Sequence, residues 1–189
     1  MKAGDLKETD FYDSLRDRVF AGIVENLSQN ERVLDIGCGD CDLVEYLAKE
    51  GSMHLVGLDI DGNKFKHASQ NMEREIRPKV KCIKGDAENL KDFKDESFSA
   101  VISLYSLHEI VHPLRALKEC RRILQGKGEI IVVDLMKNTI AEKLYAEKYF
   151  NPEDIKILMA NAGFIIIKQK IFSSEGPAIT VGYKREKNG

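Results

Sequence analysis

Residues 33–48 have the sequence Val-Leu-Asp-Ile-Gly-Cys-Gly-Asp-Cys-Asp-Leu-Val-Glu-Tyr-Leu-Ala. The stretch begins with apolar residues typical of a buried strand and ends with apolar residues at helical spacing. Gly37 and Gly39 lie between the two halves. A strand that turns through glycines into a helix is typical of nucleotide-binding α/β folds, because a missing Cβ lets a ligand approach the backbone. The stretch therefore predicts a nucleotide site.

Acidic residues around these glycines indicate the charge of the ligand. A dinucleotide site favours a small residue at the sixth position of the glycine motif, and this chain has Asp42 there. Together with Asp35 and Asp40, this carboxylate would repel a pyrophosphate by roughly several kcal/mol. The same acidic rim favours a cation. A ligand with an ammonium, a sulfonium and an adenosine, but no phosphate, would suit it.

Composition and length are typical of one globular domain. The chain has 189 residues, of which 43% are apolar and 32% charged. No apolar run approaches the ~20 residues that span a bilayer, and the polar N-terminus lacks the apolar segment of a secretion signal, so we expect a cytoplasmic protein. The net charge of −2 gives no general reason to expect nucleic acid binding.

Strand and helix patterns alternate along most of the chain. The predicted strands are Arg32–Ile36, Met53–Asp59, Val80–Lys84, Phe98–Leu104 and Glu129–Leu135. The predicted helices are Phe11–Leu27, Cys41–Glu50, Asn63–Arg74, Pro113–Leu124, Asn138–Phe150 and Pro152–Ala162. Strands that alternate with helices over short loops predict a doubly wound parallel sheet.

The last two apolar runs, Phe164–Phe172 and Ala178–Lys184, are separated by a short turn and must therefore be antiparallel strands. The prediction is an α/β fold with a seven-stranded, mostly parallel, Rossmann-like sheet that ends in an antiparallel hairpin. We expect a single domain, in which residues 1–30 form a lead and a covering helix and residues 31–184 form the ligand-binding body.

Several segments resemble, in order, the motifs of class I S-adenosylmethionine-dependent methyltransferases. The amino-acid sequences of these segments are most similar to those of the small-molecule branch, which includes quinone-biosynthesis enzymes. The resemblance covers roughly residues 31–184. The segments that carry it are Val33–Gly39, Gly57-Leu-Asp59, Gly85-Asp-Ala87, Ser99–Ile110 and Leu114–Asp134.

The resemblance implies S-adenosylmethionine as the cofactor. Asp59 would accept hydrogen bonds from the ribose hydroxyls, and it follows Gly39 by twenty residues, the spacing expected for that role. Ile60 would lie against the adenine ring, and Asp86 with the backbone of Ala87 would bind its polar edge. The positions implied for the cofactor are Tyr12, Asp35, Gly37, Cys38, Gly39, Cys41, Asp59, Ile60, Asp86, Ala87 and Ser103.

Cys38 and Cys41 have the Cys-x-x-Cys spacing of a redox motif or half a zinc site. The chain has no second such pair, and its histidines do not complete a ligand pattern, so two small residues in a tight turn is the favoured interpretation and no metal is expected. Two positions depart from the family pattern: Cys41 stands where a third glycine is usual, and Ser99 where an aspartate is common.

The methyl acceptor is specified less well. Methyl transfer needs a base only when the acceptor holds its proton, and the family implies no invariant catalytic residue. His108 is the best candidate because it follows the fourth strand and because the ordinary pKa of a histidine lies near neutrality, with Tyr105 and Glu109 as lesser candidates. The alternative for His108 is a residue with structural hydrogen bonds at a helix start.

We expect a small-molecule acceptor, because only about 28 residues separate the fifth strand from the final hairpin. The Asn-Pro-Pro-Tyr sequence of enzymes that methylate bases and glutamine is absent from the fourth-strand loop. Two alternatives stay open: a methyltransferase acting on RNA or protein, and a catalytically silent cofactor-binding partner subunit. The oligomeric state is not indicated by the sequence.

Overall fold

The computed structural model describes residues 8–27, 32–51, 53–65 and 72–185, with side chains from Leu15 onward. Seven strands form one sheet in the order β3-β2-β1-β4-β5-β7-β6. They are β1 Arg32–Ile36, β2 His54–Asp59, β3 Val80–Lys84, β4 Phe98–Leu104, β5 Leu124–Leu135, β6 Phe164–Ile171 and β7 Pro177–Lys184. The first five strands are parallel, and β7 runs antiparallel to both β5 and β6. The predicted fold class is confirmed.

Helices cover both faces of the sheet. They are α1 Glu8–Val24, α2 Asp42–Glu50, α3 Pro113–Ile123, α4 Ile140–Tyr145 and α5 Pro152–Asn161. One apolar core joins α1 and α2 to the sheet, and a second joins α3 and α5 to its opposite face. Adjacent residues of β1 point into different cores, Val33 into the first and Leu34 into the second. None of the described helices combines the length and the apolarity that crossing a bilayer requires.

Several element boundaries differ from the sequence prediction; helix α1, for example, is Glu8–Val24 instead of Phe11–Leu27. The helix predicted over 138–150 is only α4, because Ala146 adopts a left-handed conformation (φ 55°) that ends it. Strand β5 begins at Leu124 instead of Glu129, since Leu124 pairs with Phe98 before the register shifts. The helix predicted over 63–74 lies partly outside the described residues, and its described ends form turns.

Three cysteine sulfurs lie beneath the loop that follows β1. Cys41 forms a disulfide with Cys82 of β3, and the sulfur of Cys38 lies 3.6 Å from that of Cys41. The interpretation of Cys38 and Cys41 as merely small turn residues was therefore incomplete, because the partner of Cys41 lies 41 residues away in the sequence. Gly57 of β2 provides the space for these sulfurs: a Cβ there would lie 2.8 Å from Cys38 Sγ and 3.1 Å from Cys41 Sγ.

We predict that Gly57→Ala destabilises the fold, whereas Gly51→Ala is close to neutral. The added methyl group at Gly57 meets two sulfurs at short distance, and overpacking of this kind typically costs about 1–3 kcal/mol. A methyl group at Gly51 would meet only Met53 Cε, at 3.5 Å. Chemical denaturation of both variants measures the difference. Equal free energies of unfolding for the two variants would contradict the placement of the sulfurs.

Candidate functional site

The candidate site lies at the carboxyl end of the parallel strands, where β1 and β2 meet. The backbone N–H groups of Gly37 and Cys38 both donate to Leu58 O of β2, at 2.7 and 3.1 Å. Gly37 has a φ of 70°, and a Cβ there would overlap the side chain of Ser106. Gly39 has a φ of 55°, and a Cβ there would have no heavy atom within 4 Å. Glycine is thus needed at Gly37 for close packing, while Gly39 faces open space.

Two cavities share Gly37 as a wall. The first has a volume of about 470 Å³, and the residues that line it include Leu58, Asp59, Ile60, Asp86, Ala87 and Val111. The second has a volume of about 260 Å³, and the residues that line it include Arg16, Asp35, Cys38, Gly39, Asp42 and Tyr105. The glycine loop therefore separates two neighbouring compartments.

The carboxylate of Asp59 fixes the glycine loop from the side of β2. Its Oδ2 accepts the N–H of Gly39 at 2.9 Å, and its Oδ1 accepts the N–H of Asp61 at 2.8 Å. Asp59 is buried, yet it lines the first cavity. Since each carboxylate oxygen can accept more than one hydrogen bond, Asp59 can hold the loop and still bind the hydroxyls of a ligand.

The first cavity is lined by both charged and apolar side chains, and two of the apolar ones are exposed to solvent. Ile60 is 69% exposed and Val111 is 79% exposed. Both line this cavity, together with Asp86 and Ala87 from the loop after β3. The apolar side chains of Ile60 and Val111, with the carboxylate of Asp86 nearby, suit a flat ring that has a polar edge.

The second cavity contains a buried carboxylate whose hydrogen bonding is incomplete. Asp35 is only 3% exposed, and its Oδ1 has no hydrogen-bond partner among the described residues. Burial, with a further contribution from the charge of Asp59, raises the pKa of Asp35 well above its ordinary value. A buried acceptor without a partner is costly, so a cationic donor in this cavity would relieve that cost.

Helix α1 covers the second cavity through an ion pair with the start of α2. Arg16 donates from Nε to Asp42 Oδ2 and from a terminal nitrogen to Asp42 Oδ1, both at 2.7 Å. Arg16 also lies 4.5 Å from the ring centroid of Phe20, which contacts Tyr46 of α2. Helix α1 thus contributes Arg16 and Phe20 to the lining of the second cavity. Tyr12 falls within α1, but its side chain lies outside the described residues.

Most of the predicted cofactor residues line one of the two cavities, but Ser103 and Cys41 line neither. Ser103 is fully buried, and its Oγ lies 2.8 Å from Ser106 Oγ. Cys41 is 1% exposed and points towards Cys82. The cavity wall at the end of β4 is formed instead by Ser106, whose Oγ donates to Ile36 O at 2.8 Å. No sequence signal separated Ser106 from Ser103, because both lie in one Ser-rich segment.

Of the three catalytic candidates, Tyr105 lines the second cavity and Glu109 lines the first, whereas the structure places His108 behind the cavity walls. The His108 side chain is 3% exposed, and its Nδ1 lies 2.7 Å from Asp134 Oδ1 at the end of β5. Its Nε2 lies 3.2 Å from Glu147 Oε2. Sequence reasoning missed both carboxylates, since they follow His108 by 26 and 39 residues.

Tyr149 completes this group, and we call His108, Asp134, Glu147 and Tyr149 the histidine cluster. The Tyr149 hydroxyl donates to Glu147 Oε2 at 2.8 Å, and its ring packs edge-on against His108 at 4.5 Å between centroids. Burial by itself would lower the pKa of His108, but the hydrogen bond and charge of Asp134, followed by those of Glu147, raise it above its ordinary value. Burial raises the pKa of Asp134, although His108 opposes that rise.

Comparisons with known proteins identify the family of the chain. Residues 34–132, just over half of the chain, match a family model described as a methyltransferase domain. The chain is 33% identical over 142 residues to the chloroplastic 2-phytyl-1,4-beta-naphthoquinone methyltransferase of Arabidopsis thaliana, a match that covers 67% of this chain and 54% of that protein. It is 30% identical over 107 residues to the demethylmenaquinone methyltransferase of Thermotoga maritima, which covers 56% of this chain and 44% of that protein.

The chain thus spans about half the length of these curated relatives. Among solved structures, a SAM-dependent methyltransferase from Methanosarcina mazei superposes with a TM-score of 0.72 at 18% identity, covering 87% of this chain and 97% of that one. At this level of identity the likeness concerns the fold.

We predict that His108 makes stability pH-dependent. Because its pKa is raised in the folded protein, its contribution is fully present below the ordinary value of about 6.5 and is lost as pH rises through the folded value. The free energy of unfolding of the wild type should therefore fall over this interval relative to His108→Gln, by at most about 1.4 kcal/mol per pH unit. Denaturant titrations at several pH values measure it. Parallel pH curves for the two proteins would contradict a raised pKa for His108.

Proposed function

The chain belongs to the methyltransferase family, and from that premise we propose that it transfers a methyl group from S-adenosylmethionine to a small-molecule acceptor. The observation that carries the proposal is the pair of cavities on either side of Gly37. The first contains Asp59, a carboxylate that could bind ribose hydroxyls, and the second contains the buried Asp35, which a cation would stabilise. This combination matches a ligand that has an adenosine at one end and a charged amino-acid part at the other.

The residues of both cavities fit the cofactor. We assign the adenosine to the first cavity, where Asp59 would bind the ribose hydroxyls and Ile60 would lie against the adenine. Asp86 and the backbone of Ala87 would bind the polar edge of the ring. We assign the methionine part to the second cavity, where Asp35 Oδ1, which has no partner among the described residues, would accept a hydrogen bond from its ammonium group. The open face of Gly39 lets the two parts pass close to the backbone.

The chemistry that the cofactor supplies is a methyl group on a positively charged sulfur, which is a good leaving group. The protein has to align the acceptor with that methyl and keep water out, and alignment alone can contribute about 7–11 kcal/mol. Helix α1, held to α2 by Arg16 and Asp42, forms one wall of the second cavity. Tyr105 lines this cavity at the end of β4, so we propose that it contacts the acceptor next to the methyl group.

A small acceptor with an aromatic ring is the substrate class that the relatives favour. The two quinone-related names belong to proteins that are at least 30% identical to this chain over the matched residues. We propose a hydroquinone-like acceptor on the basis of those names and of the side chains that surround the end of β4. His108 and Glu109 lie on this side of the sheet, and we retain both as participants in handling the acceptor.

We predict that Asp59→Asn and Asp35→Asn affect the binding of different parts of the cofactor. Asp59→Asn should weaken binding of both S-adenosylmethionine and adenosine at least about tenfold, because hydrogen bonds to a charged group contribute about 1.5–3 kcal/mol. Asp35→Asn should weaken S-adenosylmethionine and leave adenosine unchanged, since adenosine carries no ammonium. Isothermal titration calorimetry measures all four affinities.

Asp92→Asn is the matched control, because Asp92 is exposed and lines neither cavity. Loss of adenosine affinity in Asp35→Asn would show that the two cavities are assigned in the wrong order. A wild-type protein that binds neither compound would contradict the cofactor assignment itself.

We further predict that the protein methylates a low-molecular-weight compound. Incubation with methyl-labelled S-adenosylmethionine and fractionated cell extract should place the label in the small-molecule fraction. Label that enters only protein or RNA would replace the proposed acceptor class by a macromolecule. Asp59→Asn is the negative control, since its loss of cofactor binding should abolish labelling of every fraction.

A further inference from the structure

The histidine cluster is built so that the imidazole of His108 points towards one carboxylate. Asp134 is fully buried and binds His108 twice, through Nδ1 at 2.7 Å and through the backbone N–H at 3.1 Å. Its Oδ1 also accepts the N–H of Leu135 at 2.9 Å, so the carboxylate cannot turn without losing several bonds. A buried carboxylate on Nδ1 fixes the ring orientation, and Nε2 is then presented to Glu147.

Glu147 is the solvent-facing end of this arrangement. Its side chain is 42% exposed, whereas those of His108 and Asp134 are 3% and 0% exposed. Both of its observed hydrogen bonds, from His108 Nε2 and from the Tyr149 hydroxyl, fall on Oε2. The second oxygen, Oε1, is therefore the atom that can meet an incoming group, while two donors from the protein interior hold the carboxylate in one position.

The cluster borders the first cavity. Ligating atoms of His108, Glu109 and Glu147 all lie within 4.8 Å of one another, and Glu109 lines that cavity. His108 follows the end of β4 and Asp134 lies at the end of β5, two neighbouring strands of the parallel part of the sheet. Ligands of open α/β sheets bind outside these carboxyl ends. Glu147 lines neither cavity, but it lies beside Glu109 at the rim of the first one, at the edge of the sheet where ligands of this fold bind.

We propose that Glu147 is the group that accepts the proton of the methyl acceptor, and that His108 and Tyr149 are positioning residues that hold it. The inference rests on the proposed function, which it deepens by assigning a catalytic residue. The bond between sulfur and the methyl carbon breaks as the acceptor forms its new bond to that carbon. The electron pair for the new bond becomes available when the acceptor hydroxyl loses its proton. The proton passes to Oε1 of Glu147, the sulfur leaves as a neutral thioether, and the exposed carboxyl returns the proton to water.

His108 itself is less suited to act as the base. Each of its ring nitrogens already faces a carboxylate, and Nε2 is reached only past Glu147. Although burial opposes it, the two acidic partners raise the pKa of His108 and thereby stabilise the form of the ring that donates from both nitrogens. The groups that face the ring are Asp134 from β5, Glu147 and Tyr149 from the segment after α4, and the neighbouring Glu109.

The test compares wild type with Glu147→Gln, using 1,4-dihydroxynaphthalene as the acceptor probe, kept reduced by ascorbate under argon. Glutamine keeps the shape and can still accept the bonds of His108 and Tyr149, but it cannot take up a proton at neutral pH. We expect kcat to fall about 100-fold or more, as is typical for loss of a general base, while the affinity for S-adenosylmethionine is unchanged. The matched control is Glu153→Gln, an exposed glutamate that pairs with Lys156 on α5.

A double-mutant cycle tests the positioning role of Tyr149. Tyr149→Phe keeps the ring packed on His108 but removes the hydroxyl that holds Glu147, so kcat should fall about 3–10-fold with little change in KM. In the Glu147→Gln background the same substitution should have almost no further effect, because residues that act through one another are not additive. A purely structural role for Tyr149 would give the same loss in both backgrounds, and that result would overturn the positioning role.

Two results would overturn the role of Glu147 itself. The first is a Glu147→Gln rate within about threefold of wild type, given the 100-fold effect expected for a base. The second is a rate that disappears with a chelator and returns with a divalent cation, since His108, Glu109 and Glu147 would then be metal ligands. Failure of the proposed function is recognised separately, by wild-type protein that does not bind S-adenosylmethionine in calorimetry or that leaves the hydroquinone unmethylated.

Discussion

Two carboxylates at the carboxyl end of the sheet determine how the site is built. Asp59 holds the glycine loop through the N–H of Gly39, and Asp35 lies buried at the end of β1 with one oxygen that has no partner among the described residues. The negative charges of the two carboxylates repel each other, and this repulsion contributes to the raised pKa of Asp35. A ligand with hydroxyls for one carboxylate and a cation for the other would remove both costs, and the proposed cofactor provides both groups.

The loop after β1 combines an unusual backbone conformation at Cys41 with close packing of that side chain. Cys41 adopts a left-handed conformation (φ 69°) at the position where the family usually has glycine. Such a conformation is unfavourable for a residue with a side chain. The side chain of Cys41 nevertheless has a defined place, because it bonds to Cys82 and packs over Gly57. The departure from the family sequence is therefore matched by a cysteine on β3 and by a glycine on β2.

The histidine cluster, which we propose for the acceptor side, is built differently from the two cavities proposed for the cofactor. The cavities depend mainly on backbone groups, glycines and two aspartates from the loop after β1 and its neighbouring strand. The histidine cluster instead joins the loop after β4 to the end of β5 and the segment after α4. Such a division agrees with a family that shares one cofactor and uses many acceptors, since the acceptor residues lie on connections that can change without disturbing the sheet.

The sequence by itself determined the fold class and the alternation of strands with helices. It also predicted that Asp35, Gly39, Asp59 and Ile60 lie near one another, and they line two adjoining cavities. These features depend on local periodicity, on glycines at fixed positions and on a regular spacing between consecutive strands. Only the tertiary structure decided that Ser106 lines the cavity instead of Ser103, that Cys41 pairs with Cys82, and that Asp134 and Glu147 hold His108. These contacts join residues far apart in the chain, and no local pattern encodes which side chains meet once the sheet brings its strand ends together.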